Sequence, residues 1–359
     1  MAVMGKEEEE QQQQHKEEEV VQGDVRVVVQ QETAADEEAE SALVRKISGL
    51  AAAIARLPSL SPSPEVNALF TDLVTACIPR STVDVERLGP ELQRMRAGLI
   101  RLCADAEALL EAHYSDLLAA FDNPLDHLPL FPYFTNYLLL SQLEHGLLAR
   151  HVPGPPPSRV AFVGSGPLPL SSLVLASRHL PAAAFDNYDI CGDANDRARR
   201  LVRADAALAA RMAFRTSDVA HVTRELAAYD VVFLAALVGM AAEEKARVVE
   251  HLGRHMAPGA ALVVRSAHGA RGFLYPVVDP EEIRRGGFDV LAVHHPEGEV
   301  INSVIIARKP LPVVDEHAVA GVGHAHAHGA VLSRPCLCCE MEARAHQKME
   351  EVAMEQLPS

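Results

Sequence analysis

The stretch Val160-Ala161-Phe162-Val163-Gly164-Ser165-Gly166-Pro167-Leu168-Pro169-Leu170 reads as a buried strand, a glycine turn and the start of a helix. Glycines at such a turn let a ligand approach backbone N–H groups at the end of the following helix. Gly-x-Gly is shared by many tight strand-to-helix turns, so Gly164, Ser165 and Gly166 need partners before they define a site. Asn187-Tyr188-Asp189-Ile190 ends the next apolar segment. An acid there can accept hydrogen bonds from ribose hydroxyls; a helix cap or a salt-bridged strand end is the other reading of Asp189. Thr216-Ser217-Asp218 ends a third segment at the same edge, where Asp218 would reach an adenine amino group or cap the next helix. Together these residues point to an adenosine-bearing ligand at the carboxyl ends of neighbouring strands.

The elements that must position them follow from pattern. Strands are expected over Arg159 to Val163, Ala184 to Asp189, Met212 to Thr216, Asp230 to Leu234 and Ala260 to Arg265. Helices are expected between them, over Pro169 to His179, Ala194 to Leu208, Val219 to Ala228 and Glu243 to His255. That alternation means a doubly wound, mostly parallel sheet, closed by an antiparallel edge from Val290 to His294 and Val300 to Ala307. Position 169 is Pro where a dinucleotide turn carries its third Gly. This favours S-adenosylmethionine (SAM), which has no phosphate. Pro258-Gly259 before the fifth strand also fits the Rossmann-like fold of SAM-dependent methyltransferases.

Upstream, the pattern is helical. Ser41 can N-cap a helix carrying Leu43, Val44, Ile47, Leu50 and Ile54. Another runs through Leu69, Leu73 and Val74. Pro90 to Phe121 places Leu92, Met95, Leu99, Leu102, Ala106, Leu109 and Leu110 on one stripe, and Tyr133 to Arg150 forms a further helix. Four divisions result: a disordered acidic extension over 1–40, an all-helical domain over 41–152, a SAM-binding α/β domain over 153–310, and a flexible His- and Cys-bearing tail over 311–359.

The whole chain has 359 residues and a formal charge of -16. Residues 1–40 hold 13 acids against Lys6, Lys16 and Arg26, or -10, which leaves -6 for the rest. No basic field exists to attract nucleic acid or an anionic membrane. The longest apolar run, Val231 to Ala242, is too short to span a bilayer. The Glu-rich start is neither a secretory signal nor a transit peptide. The six Cys are too sparse for a disulfide scaffold, so a reduced, cytoplasmic protein is expected.

Several long strings carry a resemblance. Phe162 to Leu170, Asn187 to Ile190, Tyr229-Asp230-Val231-Val232-Phe233-Leu234-Ala235-Ala236-Leu237-Val238-Gly239-Met240 and Arg265-Ser266-Ala267-His268-Gly269-Ala270-Arg271 resemble plant nicotianamine synthase. So do Asp122-Asn123-Pro124-Leu125 and Leu130-Phe131-Pro132-Tyr133-Phe134-Thr135-Asn136-Tyr137. The likeness covers roughly residues 43–309. Position 191 is Cys where many members carry Asp. The resemblance implies condensation of three SAM molecules into nicotianamine with release of three 5′-methylthioadenosine. Each step moves a 3-amino-3-carboxypropyl group to an amine, and the last closes an azetidine ring. It implies no cofactor beyond SAM itself, no metal in the enzyme, and SAM and nicotianamine intermediates as partners.

That chemistry needs a group to deprotonate the acceptor amine, so a carboxylate or phenolate-type partner is expected from the helical domain. Glu111 and Tyr137 are the candidates, by the spacing of a Glu and a Tyr in archaeal relatives. Their alternatives are a solvated helix-end charge and a packing aromatic. Glu144 is the next base to consider, against a surface acid. Arg265, His268 and Arg271 could meet a substrate carboxylate or form an inter-domain salt bridge.

Other features read two ways. Tyr114-Ser115-Asp116-Leu117 and Leu109-Leu110 fit sorting signals that bear on vesicle association in this family, or are helix core. His317, His324, His326, His328 and His346 with Cys336, Cys338 and Cys339 suit an opportunistic metal-binding tail or passive low complexity. Self-association is left open. A small-molecule methyltransferase is the rival enzyme on the same fold, and a metal-buffering scaffold the rival non-enzyme.

Overall fold

The computed structural model describes residues 37–311. Residues 37–54 form the first helix, α1, followed by α2 (Pro64–Cys77), α3 (Pro90–Leu118) and α4 (Phe134–His151). Ser63 accepts the Val66 N–H with Pro64 at the first helical position, a favourable helix start. Ser41 lies inside α1 rather than capping it, because the helix already includes residues 37–40, which the sequence assigned to the disordered extension. The expected His/Cys tail falls outside the described residues.

The sheet comprises β1 (Arg159–Val163), β2 (Ala184–Asp189), β3 (Met212–Thr216), β4 (Val231–Leu234), β5 (Ala261–Ser266), β6 (Asp289–His294) and β7 (Ser303–Arg308). Its strand order is β3-β2-β1-β4-β5-β7-β6. The first five strands pair in parallel, while β7 runs antiparallel to both β5 and β6. Between strands lie α5 (Leu170–Val174), α6 (Gly192–Val202), α7 (Ala206–Ala209), α8 (Ala242–His255) and α9 (Pro280–Arg285). The fold is thus a doubly wound α/β sheet preceded by helices. β1, β4, β5 and β7 are buried almost throughout, as strands covered on both faces must be. β6 alternates exposed with half-buried residues, as an edge strand does.

Three expected helices change form, and one of them, Ala194 to Leu208, divides into α6 and α7 with a break at residues 203–205. α5 passes into a π turn, Leu175–His179. Val219 to Ala228 is not one helix but two 3-10 turns, Val219–His221 and Arg224–Ala228. Thr223, at φ -123° and ψ -74°, interrupts the helical backbone between them.

The order of strands reverses at β1, which pairs with β2 on one side and β4 on the other. Ligands of open α/β sheets bind in the crevice beyond the carboxyl ends at such a point. α3 and α4 pack near this end. Ser115 of α3 donates to the Pro167 carbonyl just after β1 at 2.9 Å, and α4 packs on α5. A separate apolar cluster joins the helical part to the segment after β5, where Ile47, Leu73 and Leu99 meet Phe273 and Leu274.

Candidate active site

Gly164 and Gly166 adopt φ of 80° and 68°, the left-handed region that favours glycine. A Cβ on Gly164 would overlap Val238, and one on Gly166 would lie 2.5 Å from Glu111 Oε2. The second close approach is informative, since it presses the base candidate onto the ligand turn. Asp189, at the end of β2, holds this turn from the other side. Its Oδ2 accepts the Gly166 N–H at 2.9 Å and its Oδ1 the Cys191 N–H at 2.9 Å. Burial raises the Asp189 carboxyl above its ordinary value, and these backbone donors oppose the shift. With the Ile190 N–H also on this carboxyl, one acceptor position remains for a ribose hydroxyl. Ser165 Oγ is buried without a hydrogen-bond partner among the described residues. Asp218 accepts the Ala220 N–H at 2.9 Å and caps the turn Val219–His221, so capping is the role the geometry displays.

On the helical side, Tyr137 of α4 brings two acids together. Its hydroxyl lies 3.2 Å from Glu111 Oε1 and 3.2 Å from Glu107 Oε1. Tyr275 donates to Glu107 Oε2 at 3.0 Å. Glu107 and Glu111 stand one turn apart on α3 and so share a face. Glu111 is no helix-end charge, because α3 continues to Leu118 and buries Ser115 and Leu118 beyond it. Burial pushes the Glu111 carboxyl well above the usual carboxylate range, and the neighbouring Glu107 adds to the push. Glu107 is raised too, chiefly by burial, with the Tyr275 and Tyr137 hydroxyls opposing. Burial and the two acids hold Tyr137 well above the ordinary phenol value. It therefore acts as a phenol, a hydrogen-bond donor, and not as the phenolate considered from sequence.

Glu107 and Tyr275 were missed by sequence reasoning. The signal for Glu107 was present, since it precedes Glu111 by four residues on the same helix. Tyr275 lies in the segment after β5 and carries no such periodic signal.

Glu144 and Arg265 are corrected. Arg265 donates Nε to Glu144 Oε1 at 2.7 Å and a second nitrogen to Oε2 at 3.0 Å, with Ser171 also on the guanidinium. Both side chains are buried, so Glu144 is committed as a counter-ion and Arg265 is not available to a substrate carboxylate. For Arg265 the salt bridge is the reading that holds, made between α4 and β5. Arg271 likewise donates to the carbonyls of Ile78, Pro296, Gly298 and Val300. His268 is exposed and stacks on His295 with centroids 4.0 Å apart. In the sorting-like segment Ser115 is fully buried and Asp116 pairs with Arg197 and Arg200, while Leu117 is exposed. No helix among the described residues is long and apolar enough to cross a membrane. Nor do they contain three or more His, Cys, Asp or Glu side chains grouped to hold a metal ion.

Beside the cluster lies a cavity of about 280 Å³. Its wall includes Phe70, Glu107, Tyr133, Tyr137, Tyr275 and Asn302. The site thus has two parts: a glycine turn with an acid suited to adenosine, and a chamber whose wall carries one carboxylate, Glu107, suited to an amine.

Comparison of the whole chain with known proteins points to one family. The family model described as nicotianamine synthase protein matches residues 35–314. Nicotianamine synthase 3 of Oryza sativa subsp. indica is 78% identical over 334 residues, 92% of this chain and 97% of that protein. Nicotianamine synthase 9 of Hordeum vulgare is 78% identical over 324 residues, covering 89% and 95%. Among solved structures, a Glu-to-Gln variant of MtNAS in complex with SAM aligns with TM-score 0.61 at 23% identity, over 75% of this chain and 98% of that one. MtNAS in complex with MTA and tNA aligns with TM-score 0.60 at 22% identity, over 74% and 96%. These structural likenesses establish the shared fold, and with the extended matches in sequence the chain belongs to the nicotianamine synthase family.

Proposed function

We propose that this chain condenses three SAM molecules into nicotianamine through the two-part site described above. In this reading Gly164, Ser165, Gly166 and Asp189 hold the adenosine end of SAM, with Asp218 at its rim. The MtNAS neighbour in complex with SAM supports SAM as substrate. Glu111 and Tyr137 serve the acceptor amine. The observation that carries the reading is the Tyr137 hydroxyl between two buried carboxylates, one of them packed against Gly166. An amine is a nucleophile only once deprotonated, and a carboxylate raised by burial is better matched to that task near neutral pH.

SAM is a sulfonium with three electrophilic carbons on sulfur, and placement decides which is attacked. Attack on the aminobutyryl carbon breaks its bond to sulfur, and the electron pair leaves on a neutral thioether, methylthioadenosine. The leaving group needs no activation, so the proposed reaction uses no cofactor besides SAM. The nicotianamine so made is a metal chelator, which places the protein in iron and zinc homeostasis, as a phytosiderophore precursor in grasses. We place the protein in the cytoplasm, with vesicle association a further proposal.

Mass spectrometry of purified protein incubated with SAM alone, after chelator treatment, tests the reading. Methylthioadenosine and nicotianamine are expected. S-adenosylhomocysteine as the nucleoside product would turn the assignment to a methyltransferase.

A further inference from the structure

Glu111 and Glu107 occupy different positions relative to the cavity. Glu111 is packed against the Gly166 turn and is not part of the cavity wall. Glu107 is part of that wall, and the Tyr137 hydroxyl bridges the two at 3.2 Å on each side. Two carboxylates coupled through one hydroxyl resist ionising together, so they hold a proton between them and can take another from a cation. Tyr275 fixes the second oxygen of Glu107 at 3.0 Å, which aims the carboxylate instead of leaving it to rotate. Across the wall, Asn302 is buried with its Nδ2 unpaired among the described residues, a donor suited to a carboxylate. A chamber with an acid and an amide donor in an otherwise largely apolar wall suits an aliphatic amino acid.

We infer that Glu107 is a second catalytic carboxylate of the transfer, contacting the acceptor amine in the cavity while Tyr137 links it to Glu111. The inference rests on the proposed synthase function and extends it by one residue. In each transfer the acceptor ammonium gives a proton to Glu107. The freed lone pair forms the N–C bond as the C–S bond of SAM breaks toward sulfur. Glu107 then loses its proton to solvent between transfers, while Glu111 keeps the shared proton hydrogen-bonded through Tyr137, which restores Glu107 for the next amine.

The test compares Glu107→Gln, Glu111→Gln and the double variant in full-length protein, with SAM affinity by calorimetry and product by mass spectrometry. Glu107→Gln is expected to lower nicotianamine formation by about 10²–10⁴-fold, with SAM affinity kept within about threefold of the parent. Groups acting as one unit lose function together, so the double variant should fall little further than either single one. Near-parental turnover by Glu107→Gln overturns the inference, and so do losses that multiply in the double variant. If Glu107→Gln does not fold, Glu107→Asp takes its place, since it keeps the charge but withdraws it from Tyr137. At least roughly tenfold loss is then expected, and parental turnover again overturns the role. A parent protein that releases no methylthioadenosine from SAM would instead sink the proposed function itself.

Discussion

Glu144 on α4 and Arg265 on β5 form a two-pronged ion pair at 2.7 and 3.0 Å, closed from water on both sides. It ties the helical layer to the centre of the sheet, 121 residues apart in sequence. The guanidinium also lies over the Phe162 ring at 5.3 Å, directly behind the glycine turn.

Breaking that pair strands a buried charge. Arg265→Met leaves Glu144 without its partner and is expected to destabilise the protein by about 3–5 kcal/mol. Urea unfolding followed by circular dichroism checks it. A loss below about 1 kcal/mol would mean that the pair contributes no more than an exposed one.

Asp189→Ala removes the acceptor for two backbone N–H groups and the candidate ribose partner at once. A charged hydrogen bond is worth about 1.5–3 kcal/mol, so SAM affinity should fall roughly tenfold or more in a folded variant. Calorimetric titration reads this directly, and unchanged affinity would remove Asp189 from the site.

Gly166→Ala should be worse than its size suggests. The residue sits at φ 68°, and the added methyl would press on the Glu111 carboxylate. Both SAM affinity and product formation are expected to drop, by about tenfold or more each. A variant that keeps both would show that the turn relaxes freely.

The raised carboxyls make two pH predictions of opposite sign. Activity should rise with pH along an acid limb lying above 4.5, the ordinary Glu value, because the Glu107–Glu111 pair must shed one of its two protons before it can take one from the amine. Stability runs the other way. With a folded pKa above the unfolded one, the native state binds more protons between the two values, so stability falls as pH rises through that window. Glu111→Gln does not titrate. Its Tm relative to the parent should therefore climb between acidic and alkaline buffer, and a constant difference would contradict the shift.

Much of this architecture was legible in the residues. β1, β2 and β3 begin and end where the apolar runs meet charged, glycine or turn residues, so pattern alone fixed their limits. The antiparallel edge was also legible, although β7 starts at Ser303 and not at Val300. Val219 to Ala228 misled because helical propensity says nothing of the break at Thr223. At the site, the glycine turn was a candidate by motif and Glu111 and Tyr137 by their spacing in the resembling family, and the structure brings these candidates into contact. The Glu144–Arg265 pair was not found, since periodicity places an acid on a helix face without saying which distant charge it meets. Tyr275 was invisible for the same reason: only the packing of the segment after β5 against α3 sets it on Glu107.

The division of labour between the glycine turn and the carboxylate–tyrosine cluster is tested most directly by Tyr137→Phe. SAM affinity and nicotianamine formation are measured on one preparation. Tyr137 hydrogen-bonds the two acids, and Phe nearly preserves its volume. The expected result is parental SAM affinity with product formation lowered by about 10²–10⁴-fold, and with partly elongated intermediates enriched. Parental product formation, or affinity and turnover falling in step, would contradict the account.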